Sequence, residues 1–359
     1  MRVCVIGEGL SALTIAKALV NLNIFVDISM SKKVKNINRT RTLGISKDNL
    51  DFFNKNITNV EKIIWKIKRI EIFTDNLKNE KLLNFENNDD QLFSIINNYK
   101  LFKILEKDLS KNKYFKKLNI NKENLSFIND YELIINCDYS HKITKKYFNK
   151  KITKKYNSLA YTTVIKHEKI FNNTAVQIFT KLGPLAFLPI SNDETSVVYS
   201  IQNSLIKKKH DIEDLIHRYN FKYKINKIEK VENFELKFLN LRSYYHNNIL
   251  AFGDLLHRIH PLAGQGFNMT IRDIMVITKI IQKRLELGLP LDSLVSLEFE
   301  NSLKHKNFIF SNGIDLIYEF FNIERKTKNN ILSKSVKLLG ENPSINKIFT
   351  KIADKGIFF

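Results

Sequence analysis

The first thirty residues contain three short elements that the hydrophobic pattern defines. Residues 3–6 form a continuous apolar run typical of a buried strand, residues 10–22 place apolar side chains on one face of a helix, and residues 24–28 form a second strand-like run. Short connections join them. The pattern therefore predicts a βαβ unit at the start of the chain.

The middle of the chain mixes the two periods. Residues 63–73 and 82–85 have a strand-like pattern, residues 98–109 repeat apolar side chains at helical spacing, and residues 133–135 form a short buried strand. The lysine-rich stretch 142–155 is expected to be a solvated helix or a connection. This part of the chain is therefore predicted to contain both helices and strands.

The second half is predicted to contain a further sheet followed by helices. Residues 249–252 form one more strand, residues 270–287 a long helix, and residues 294–359 are helical in pattern. The sheet precedes them as four short β-rich runs separated by polar or Gly-Pro turns, at residues 158–165, 174–179, 185–190 and 196–201. Together these elements predict an α/β fold.

Composition indicates a folded globular protein. The 359 residues are 43% hydrophobic and 26% charged, and no stretch approaches the roughly 18 to 20 apolar residues that cross a bilayer. The N-terminus lacks the pattern of a signal peptide, so we expect a cytoplasmic protein. Cys4 and Cys137 lie in apolar, strand-like runs and are expected to be reduced core residues.

The net charge of +21 would suit an anionic partner. Lysine, asparagine, isoleucine and phenylalanine are used heavily throughout, which favours a composition typical of an AT-rich genome. A membrane surface is the alternative, and nucleic acid is not favoured because no nucleic-acid-binding motif is present. The membrane hypothesis rests on lysines beside apolar residues near the C-terminus, which are Lys326, Lys328, Lys334, Lys337, Lys347 and Lys351 with Ile331, Leu338, Ile348 and Phe349.

Five of the 11 glycines fall in two clusters. The first is the G-x-G-x-x-A turn between the first strand and helix. Gly7 permits a tight turn, Gly9 lets the backbone approach a pyrophosphate, and the small Ala12 allows close packing of the helix on the strand. The turn predicts dinucleotide binding at a helix N-terminus. The second strand ends without an acid for the ribose hydroxyls, since Asp27 lies within the strand.

The second glycine cluster is the segment FGDLLHRIHPLAGQGFN at residues 252–268. Gly253 and Asp254 directly follow a predicted strand, and the Asp254 carboxylate is placed to accept hydrogen bonds from polyol hydroxyls. The end of the segment opens a helix, where backbone N–H groups can bind a carbonyl or an oxygen-bearing intermediate. The residues of that helix start are Gly264, Gln265, Gly266, Phe267 and Asn268.

Two histidines lie within the second cluster, three residues apart. No cysteine or paired carboxylate completes a ligand set with His257 and His260, so a metal site is not favoured. Orientation of the loop or of a substrate is the preferred role. His260 and Pro261 are the candidates next to the reacting atoms, and no catalytic side chain is assigned beyond them.

Four motifs carry a resemblance to a known family. They are GEGLSA at the N-terminus, RTLGIS at residues 41–46, AVQIFTKLGPLAFLPI at 175–190 and GDLLHRIHPLAGQGFNMTIRD at 253–273. With them the chain resembles the ubiquinone-biosynthesis hydroxylases, which are FAD-dependent aromatic monooxygenases with the fold of p-hydroxybenzoate hydroxylase. The resemblance spans nearly the whole chain.

The resemblance implies a Rossmann-like FAD-binding domain with an inserted mixed β-sheet substrate domain and C-terminal helices. The FAD-binding domain is expected at 1–60, 98–155 and 245–300, the substrate domain at 61–97 and 156–244, and the helical region at 301–359. It also implies that Gly7 and Gly9 hold the diphosphate, Arg41 helps to fix the cofactor, and Asp254 binds the ribityl chain. The segment from Gly264 to Asn268 would lie against the isoalloxazine.

One motif departs from the family. An Asp-Gly pair that serves FAD and the reduced nicotinamide usually follows a strand in the middle of the chain. Here the sequence keeps Asp138 but has Tyr139 in place of the glycine. The departure indicates an altered geometry, an electron donor other than NAD(P)H, or loss of efficient reduction.

The implied reaction is hydroxylation of the aromatic ring of a polyprenylated ubiquinone precursor by O₂, through a flavin C4a-hydroperoxide. Such a lipophilic substrate would be collected at the inner face of the cytoplasmic membrane, among other quinone-biosynthesis proteins. Two alternatives stay open. One is a flavoprotein of the same fold that acts on another aromatic substrate or without ring hydroxylation. The other is a flavin-binding scaffold within a quinone-synthesis complex.

Overall fold

The computed structural model of the chain describes residues 1–29, 39–75, 80–86, 91–118, 126–203, 212–261, 264–327 and 331–340. Within these ranges the backbone forms three sheets, and helices pack against them. The first sheet begins with the predicted βαβ unit. Its strands β1 and β2 pair in parallel, and helix α1 connects them: β1 is Arg2–Ile6, α1 Leu10–Asn21 and β2 Phe25–Ser29.

The first sheet has six strands in the order β16, β17, β9, β1, β2 and β8. All pairs are parallel except β16 with β17. Residues of β1 and β9 are fully buried from Val3 and from Leu133 onward, as expected of parallel strands covered on both faces. The remaining strands are β8 at Phe115–Leu118, β9 at Leu133–Asn136, β16 at Tyr245–His246 and β17 at Ile249–Ala251.

The second sheet has nine strands and is mainly antiparallel, with one parallel pair between β5 and β11. Burial alternates along most of β15, as expected of an antiparallel strand with one face on the core. Its strands are β5 Arg69–Thr74, β6 Lys81–Glu86, β10 Lys151–His167, β11 Thr174–Phe179, β12 Pro184–Pro189, β13 Glu194–Gln202, β14 Ile225–Ile228, β15 Glu232–Leu241 and β18 His257–Arg258.

A small third sheet and the remaining helices complete the described fold. The sheet pairs β3 at Thr42–Ser46, β4 at Ile64–Ile67 and β7 at Phe93–Asn97. The long helices α6 and α7 pack on each other and on the core of the first sheet. The helices are α2 Lys47–Asn56, α3 Asn98–Ser110, α4 Lys142–Tyr147, α5 Ile212–Tyr219, α6 Gln265–Glu286, α7 Ser293–Thr327 and α8 Ile331–Gly340.

Most predicted elements are present, and two predictions need correction. The lysine-rich stretch 142–155 is only in part a helix, because β10 already begins at Lys151. Lys151 and Lys155 are exposed although they lie on a strand that pairs with β15, so an exposed lysine-rich segment need not be a connection. The long helix α6 begins at Gln265, five residues before the predicted start at 270. The domain boundaries stay a prediction, and residues 341–359 lie outside the described ranges.

Cys4 has the predicted core environment, whereas Cys137 is only partly buried against the same core. Cys4 is buried in β1, and the Cys137 residue directly follows β9. Burial is the main cause that raises the pKa of each thiol. In the part of the chain that is described, no helix is long and apolar enough to span a bilayer.

The turn between β11 and β12 offers a test of the sheet. Gly183 has φ +145°, and a Cβ there would lie 2.0 Å from the backbone oxygen of Ser200 in β13. We therefore expect Gly183→Ala to lower the free energy of unfolding by roughly 3 kcal/mol, from backbone strain and the clash together. Urea denaturation measures the loss.

Gly288→Ala is the matched control. Gly288 has φ +67°, but a Cβ there would meet nothing within 4 Å. Gly288→Ala should therefore lower the free energy of unfolding by only roughly 1 kcal/mol, the cost of an alanine in the left-handed region. Equal losses in the two variants would show that the β11–β12 turn moves away from Ser200 without cost.

Candidate functional site

The first glycine cluster forms a tight turn at the end of β1. Gly7 has φ +139°, and its N–H donates to the carbonyl of Ser29 at 3.2 Å. A Cβ on Gly7 would lie 3.1 Å from the Cβ of Cys137 and 3.3 Å from the Cβ of Ala12. The turn thus packs closely against α1 and the residue after β9, and the small side chain of Ala12 is part of this packing.

The N-terminus of α1 faces open space. Gly9 precedes the helix, no side chain caps the first turn, and that turn has no acidic residue. A Cβ on Gly9 would meet nothing within 4 Å. The free backbone N–H groups of a first turn carry partial positive charge, so this end of α1 suits an anion.

The second glycine cluster packs directly onto α1. Gly253 has φ +62°, and a Cβ there would lie 2.6 Å from the Cβ of Ser11. The carboxylate of Asp254 is exposed beside this contact, and it makes no hydrogen bond or ion pair with the described residues. The negative charges of Asp254 and then Asp138 add to burial in raising the pKa of the Cys137 thiol, so both carboxylates lie near the turn at Gly7.

The start of α6 packs on β3 through two glycines. Gly264 has φ +64°, and a Cβ there would lie 3.1 Å from the backbone nitrogen of Gly44. No side chain caps α6, and its first turn has no acidic residue. Gly266 is exposed, and a Cβ there would meet nothing within 4 Å. A second helix N-terminus therefore opens to free space.

The side chain of Asn268 holds this arrangement together. Its Oδ1 accepts hydrogen bonds from the backbone nitrogen of Ser46 at 2.9 Å and from Nδ2 of Asn49 at 2.8 Å. Its Nδ2 donates to the carbonyls of Gly44 at 3.0 Å and Gly264 at 3.2 Å. The amide is buried and fully used, so its role is to fix the α6 start against the RTLGIS segment.

The remaining predicted residues of this segment differ in burial. Phe267 packs on Phe53 of α2 with ring centroids 6.4 Å apart, which anchors the first turn of α6 in the core. Gln265 is buried, and Pro261 is half-buried. Leu262 and Ala263 lie outside the described residues, so the path between Pro261 and Gly264 is not described.

Arg41 and Asp138 occupy different surroundings. Arg41 is exposed, and its guanidinium lies over the ring of Phe234 in β15, 5.3 Å from the centroid. The carboxylate of Asp138 accepts from the backbone nitrogen and the hydroxyl of Ser140, at 2.8 and 2.7 Å. Asp138 therefore shapes the turn before α4, while its charge stays close to the Gly7 turn.

The two histidines of the second cluster have different neighbours. His257 forms a 2.5 Å contact with Asp273 of α6, whose other carboxylate oxygen accepts from Asn307 of α7 at 3.0 Å. All three side chains are buried, so they connect β18 to both helices. His260 instead lies between aromatic rings. Burial lowers its pKa to about 3, which leaves the imidazole neutral at physiological pH.

Two features near the site were not predicted from the sequence. Asp27 is buried, forms an ion pair with Arg2 at 2.7 Å, and accepts from the hydroxyl of Tyr131 at 2.7 Å. The Asp27 carboxylate therefore already has partners within the protein, and it lies on the strand whose end would carry an acid for the ribose. Tyr139, which replaces the family glycine, is exposed, and the Arg258 guanidinium lies 5.4 Å from its ring centroid.

Comparisons with known proteins support the resemblance. The ubiquinone biosynthesis monooxygenase COQ6 of Danio rerio is 26% identical over 191 residues, which is 42% of this chain and 40% of that protein. The ubiquinone hydroxylase UbiL of Rhodospirillum rubrum is 26% identical over 141 residues, which is 37% of this chain and 33% of that protein. The chain therefore aligns with less than half of either relative.

The resemblance predicted from the motifs is confirmed. The chain is similar to ubiquinone-biosynthesis monooxygenases. No protein-family model matches it. The crystal structure of pqsL, a probable FAD-dependent monooxygenase from Pseudomonas aeruginosa, superimposes with a TM-score of 0.71 at 14% identity, over 94% of this chain and 99% of that one. The predicted fold class, a Rossmann-like domain with an inserted mixed sheet, is confirmed with it.

The Asn268 amide generates a prediction. Asn268→Ala should lower the free energy of unfolding by roughly 3 kcal/mol, because two carbonyls and two N–H donors lose a buried partner. Asn268→Asp should not restore stability, since its second oxygen would face the carbonyls of Gly44 and Gly264. Chemical denaturation measures both variants.

Asn49→Ala serves as the control, because it removes only one of the four hydrogen bonds. Its loss should be clearly smaller, about 1 kcal/mol. A loss below about 0.5 kcal/mol for Asn268→Ala would contradict the assignment of Asn268 as the link between α6 and β3.

Proposed function

We propose that the chain is an FAD-dependent monooxygenase that hydroxylates the aromatic ring of a polyprenylated ubiquinone precursor. The observation that carries the proposal is a pair of helix N-termini with glycine N-caps, each packed closely through a glycine: α1 against Gly253, and the start of α6 at Gly264 against Gly44 of β3. The similarity to the ubiquinone-biosynthesis monooxygenases supplies the substrate class.

The residues present fit FAD. The open N-terminus of α1 at Gly9 would bind the diphosphate, and the exposed Asp254 carboxylate would accept hydrogen bonds from the ribityl hydroxyls. The backbone N–H groups at the start of α6, next to Gly266, would face the carbonyl edge of the flavin ring. Arg41 is proposed to help fix the cofactor, and Asp138 to support the same region through its charge.

When bound, FAD would supply the redox chemistry, taking electrons from a donor and passing one oxygen atom of O₂ to an electron-rich ring. The chain's own contribution is binding, orientation and exclusion of water. We propose NAD(P)H as the electron donor. Because Tyr139 replaces the family glycine, binding of this electron donor is the step in which the chain would differ from its relatives. The neutral His260 imidazole beside Pro261 is the proposed group nearest to the substrate.

A pocket with aromatic walls supports an aromatic substrate. It lies between α7 and the β11–β12 hairpin. Phe179 of β11 stacks on Phe321 of α7 with ring centroids 3.5 Å apart. Pro184 and Tyr318 also line the pocket. Its aromatic side chains suit an aromatic ring, and Thr180 and Asn322 place polar groups beside them.

The first test concerns the cofactor. The protein should bind FAD and not FMN, because only the dinucleotide has a diphosphate for α1. Asp254→Ala should weaken FAD binding roughly ten- to hundredfold, since a charge-assisted hydrogen bond contributes about 1.5 to 3 kcal/mol. Fluorescence titration of the apoprotein with each flavin measures both effects.

Glu298→Ala provides the control, because Glu298 is an exposed carboxylate on α7 outside the glycine clusters. It should leave FAD affinity unchanged. Binding of FMN alone, or of neither flavin by a folded protein, would contradict the proposed function. Unchanged FAD affinity in a folded Asp254→Ala variant would contradict the assignment of Asp254.

A peripheral contact with an anionic membrane surface is the second part of the proposal. The C-terminal half of α7 exposes a row of apolar side chains seven residues apart, with Ile309 44%, Leu316 70% and Ile323 52% exposed. Seven residues before Ile309 the same face carries the exposed Ser302. Because seven residues make about two helical turns, these three apolar side chains lie on one face of α7.

Basic residues border this face. Lys326 and Lys334 are exposed, and Leu338 on α8 is 70% exposed. Lys337 is ion-paired with Glu80 at 3.0 Å and is therefore a weaker contributor. Lysines beside exposed apolar side chains suit an anionic leaflet, since each adds about 1 kcal/mol near its surface. Lys328, Lys347, Lys351, Ile348, Phe349 and the Ile331 side chain lie outside what the structure describes.

Vesicle co-sedimentation tests this surface. The protein should bind anionic but not neutral liposomes, and binding should fall as salt shortens the Debye length. Replacing both Leu316 and Ile323 by serine should reduce binding at least about tenfold, because each buried aliphatic side chain contributes about 1.5 to 3 kcal/mol.

Phe221→Ser is the control, since Phe221 is 63% exposed but lies after α5. It should bind as the wild type does. Equal failure to bind both kinds of vesicle at low salt would leave composition as the explanation of the charge, and a partner protein would then have to deliver the substrate.

A further inference from the structure

Among the residues that the structure describes, four of the buried polar atoms without hydrogen-bond partners lie in one place beside Pro261. They are both ring nitrogens of His260, the hydroxyl of Tyr156 in β10 and Oδ1 of Asp315 in α7. His260 is 1% exposed and Tyr156 is 5% exposed. Leaving a buried polar group without a partner costs about 1 to 3 kcal/mol, so such a group in a folded protein calls for an explanation.

Ring contacts show that these atoms share one small volume. The His260 ring stacks on Tyr318 of α7, with centroids 4.3 Å apart and an interplanar angle of 24°. It meets the Tyr156 ring edge to face at 5.2 Å, and the two tyrosine rings are 5.0 Å apart. The pKa of Tyr156 is raised by burial and then by the neighbouring Asp315 carboxylate. Three rings and one carboxylate therefore surround the unpartnered atoms.

The other polar groups here already have partners. The second oxygen of Asp315 binds Nζ of Lys154 at 3.2 Å. The hydroxyl of Tyr318 lies 3.4 Å from that of Ser158, which donates to the carbonyl of Tyr156 at 3.1 Å. The lack of partners in this region is therefore most complete at His260, because the Tyr156 hydroxyl and the Asp315 carboxylate lie beside each other.

This cluster connects the pocket with aromatic walls to the loop before α6. Tyr318 lines the pocket between α7 and the β11–β12 hairpin, and its ring also stacks on His260. His260 in turn directly precedes Pro261, the residue proposed to lie near the flavin. A ligand that extends from the pocket toward the loop would therefore meet His260 and Tyr156.

We propose that His260 and Tyr156 bind an oxygen substituent, a hydroxyl or a carbonyl, on the ring of the aromatic substrate. A neutral imidazole has one donor and one acceptor, and a phenol hydroxyl both donates and accepts, so the two groups match. The Tyr156 hydroxyl, with the Asp315 carboxylate beside it, adds a second polar group. This inference rests on the proposed function and adds the residues that select an oxygenated ring.

The competing occupant is a trapped water molecule. Buried water commonly satisfies two to four otherwise unpaired polar groups, so it would explain the same atoms without any ligand. The two occupants differ in one respect: only substrate binding predicts that a ring hydroxyl increases affinity.

The test uses the FAD-loaded protein and two probes, 4-butylphenol and 4-butylanisole, which differ by one methyl group on the oxygen. Calorimetric titration should show wild-type preference for the phenol of roughly two- to tenfold, the worth of one neutral hydrogen bond. His260→Phe and Tyr156→Phe should bring the ratio close to one while anisole affinity is kept. His260→Gln, which keeps a donor and an acceptor, should restore part of the preference.

Tyr223→Phe is the matched control. The Tyr223 hydroxyl is buried but already donates to Asn172 at 3.1 Å, so its loss should lower stability without changing the phenol preference. His260→Phe should by contrast melt at or above the wild-type temperature, because it removes unpartnered nitrogens and keeps an aromatic ring against Tyr318.

A wild-type protein without phenol preference, or retention of the preference in both phenylalanine variants, would overturn the inference and leave a water site only. Probe binding needs no turnover, whereas the proposed function is judged by FAD retention and ring hydroxylation. A protein that binds FAD and hydroxylates a ring but ignores the probe's hydroxyl would therefore refute the inference alone. A protein without FAD would refute the proposed function instead.

Discussion

The arrangement of the candidate site depends on one buried amide, that of Asn268. Its four hydrogen bonds, from 2.8 to 3.2 Å, satisfy two backbone carbonyls, one backbone N–H and the Asn49 side chain. Because Gly264 is one of those partners, the amide also fixes the start of its own helix. The amide thereby holds the backbone of Gly264 against that of Gly44, where an added Cβ on Gly264 would lie 3.1 Å from the Gly44 nitrogen.

The sequence predicts the parts of this site better than their connections. The glycine turn, the buried strands and the α6 cluster are local patterns, so periodicity and glycine spacing reveal them. The contacts between Gly253 and Ser11 and between Gly264 and Gly44 join residues more than 200 positions apart, and a single sequence contains no signal for them. The predicted start of α6 at residue 270 is too late because glycines weaken the helical pattern before it. The first turn is instead stabilised by the contacts of Asn268 and Phe267 with other elements.

Electrostatics explains why the acids near the site have different roles. Asp27 lies within β2 rather than at its end, and Arg2 and Tyr131 already neutralise and bind its carboxylate inside the first sheet. The Asp138 carboxylate already accepts hydrogen bonds from Ser140. Asp254, by contrast, is exposed and makes no hydrogen bond within the described residues. A carboxylate that is already paired gains little from a new hydrogen bond, so Asp254 is the acid best placed to bind hydroxyl groups of a cofactor.

Helix α7 connects the two proposals because its faces have different neighbours. Its inner face places Tyr318 and Asp315 beside His260, and its outer face exposes Leu316 and Ile323. Leu316 lies two residues from Tyr318, so the exposed row and the aromatic cluster are separated by the width of one helix, roughly 10 Å. A ring with a long apolar tail would therefore need to pass only around this helix to move from a lipid surface to His260. The same element would then collect the tail and orient the ring.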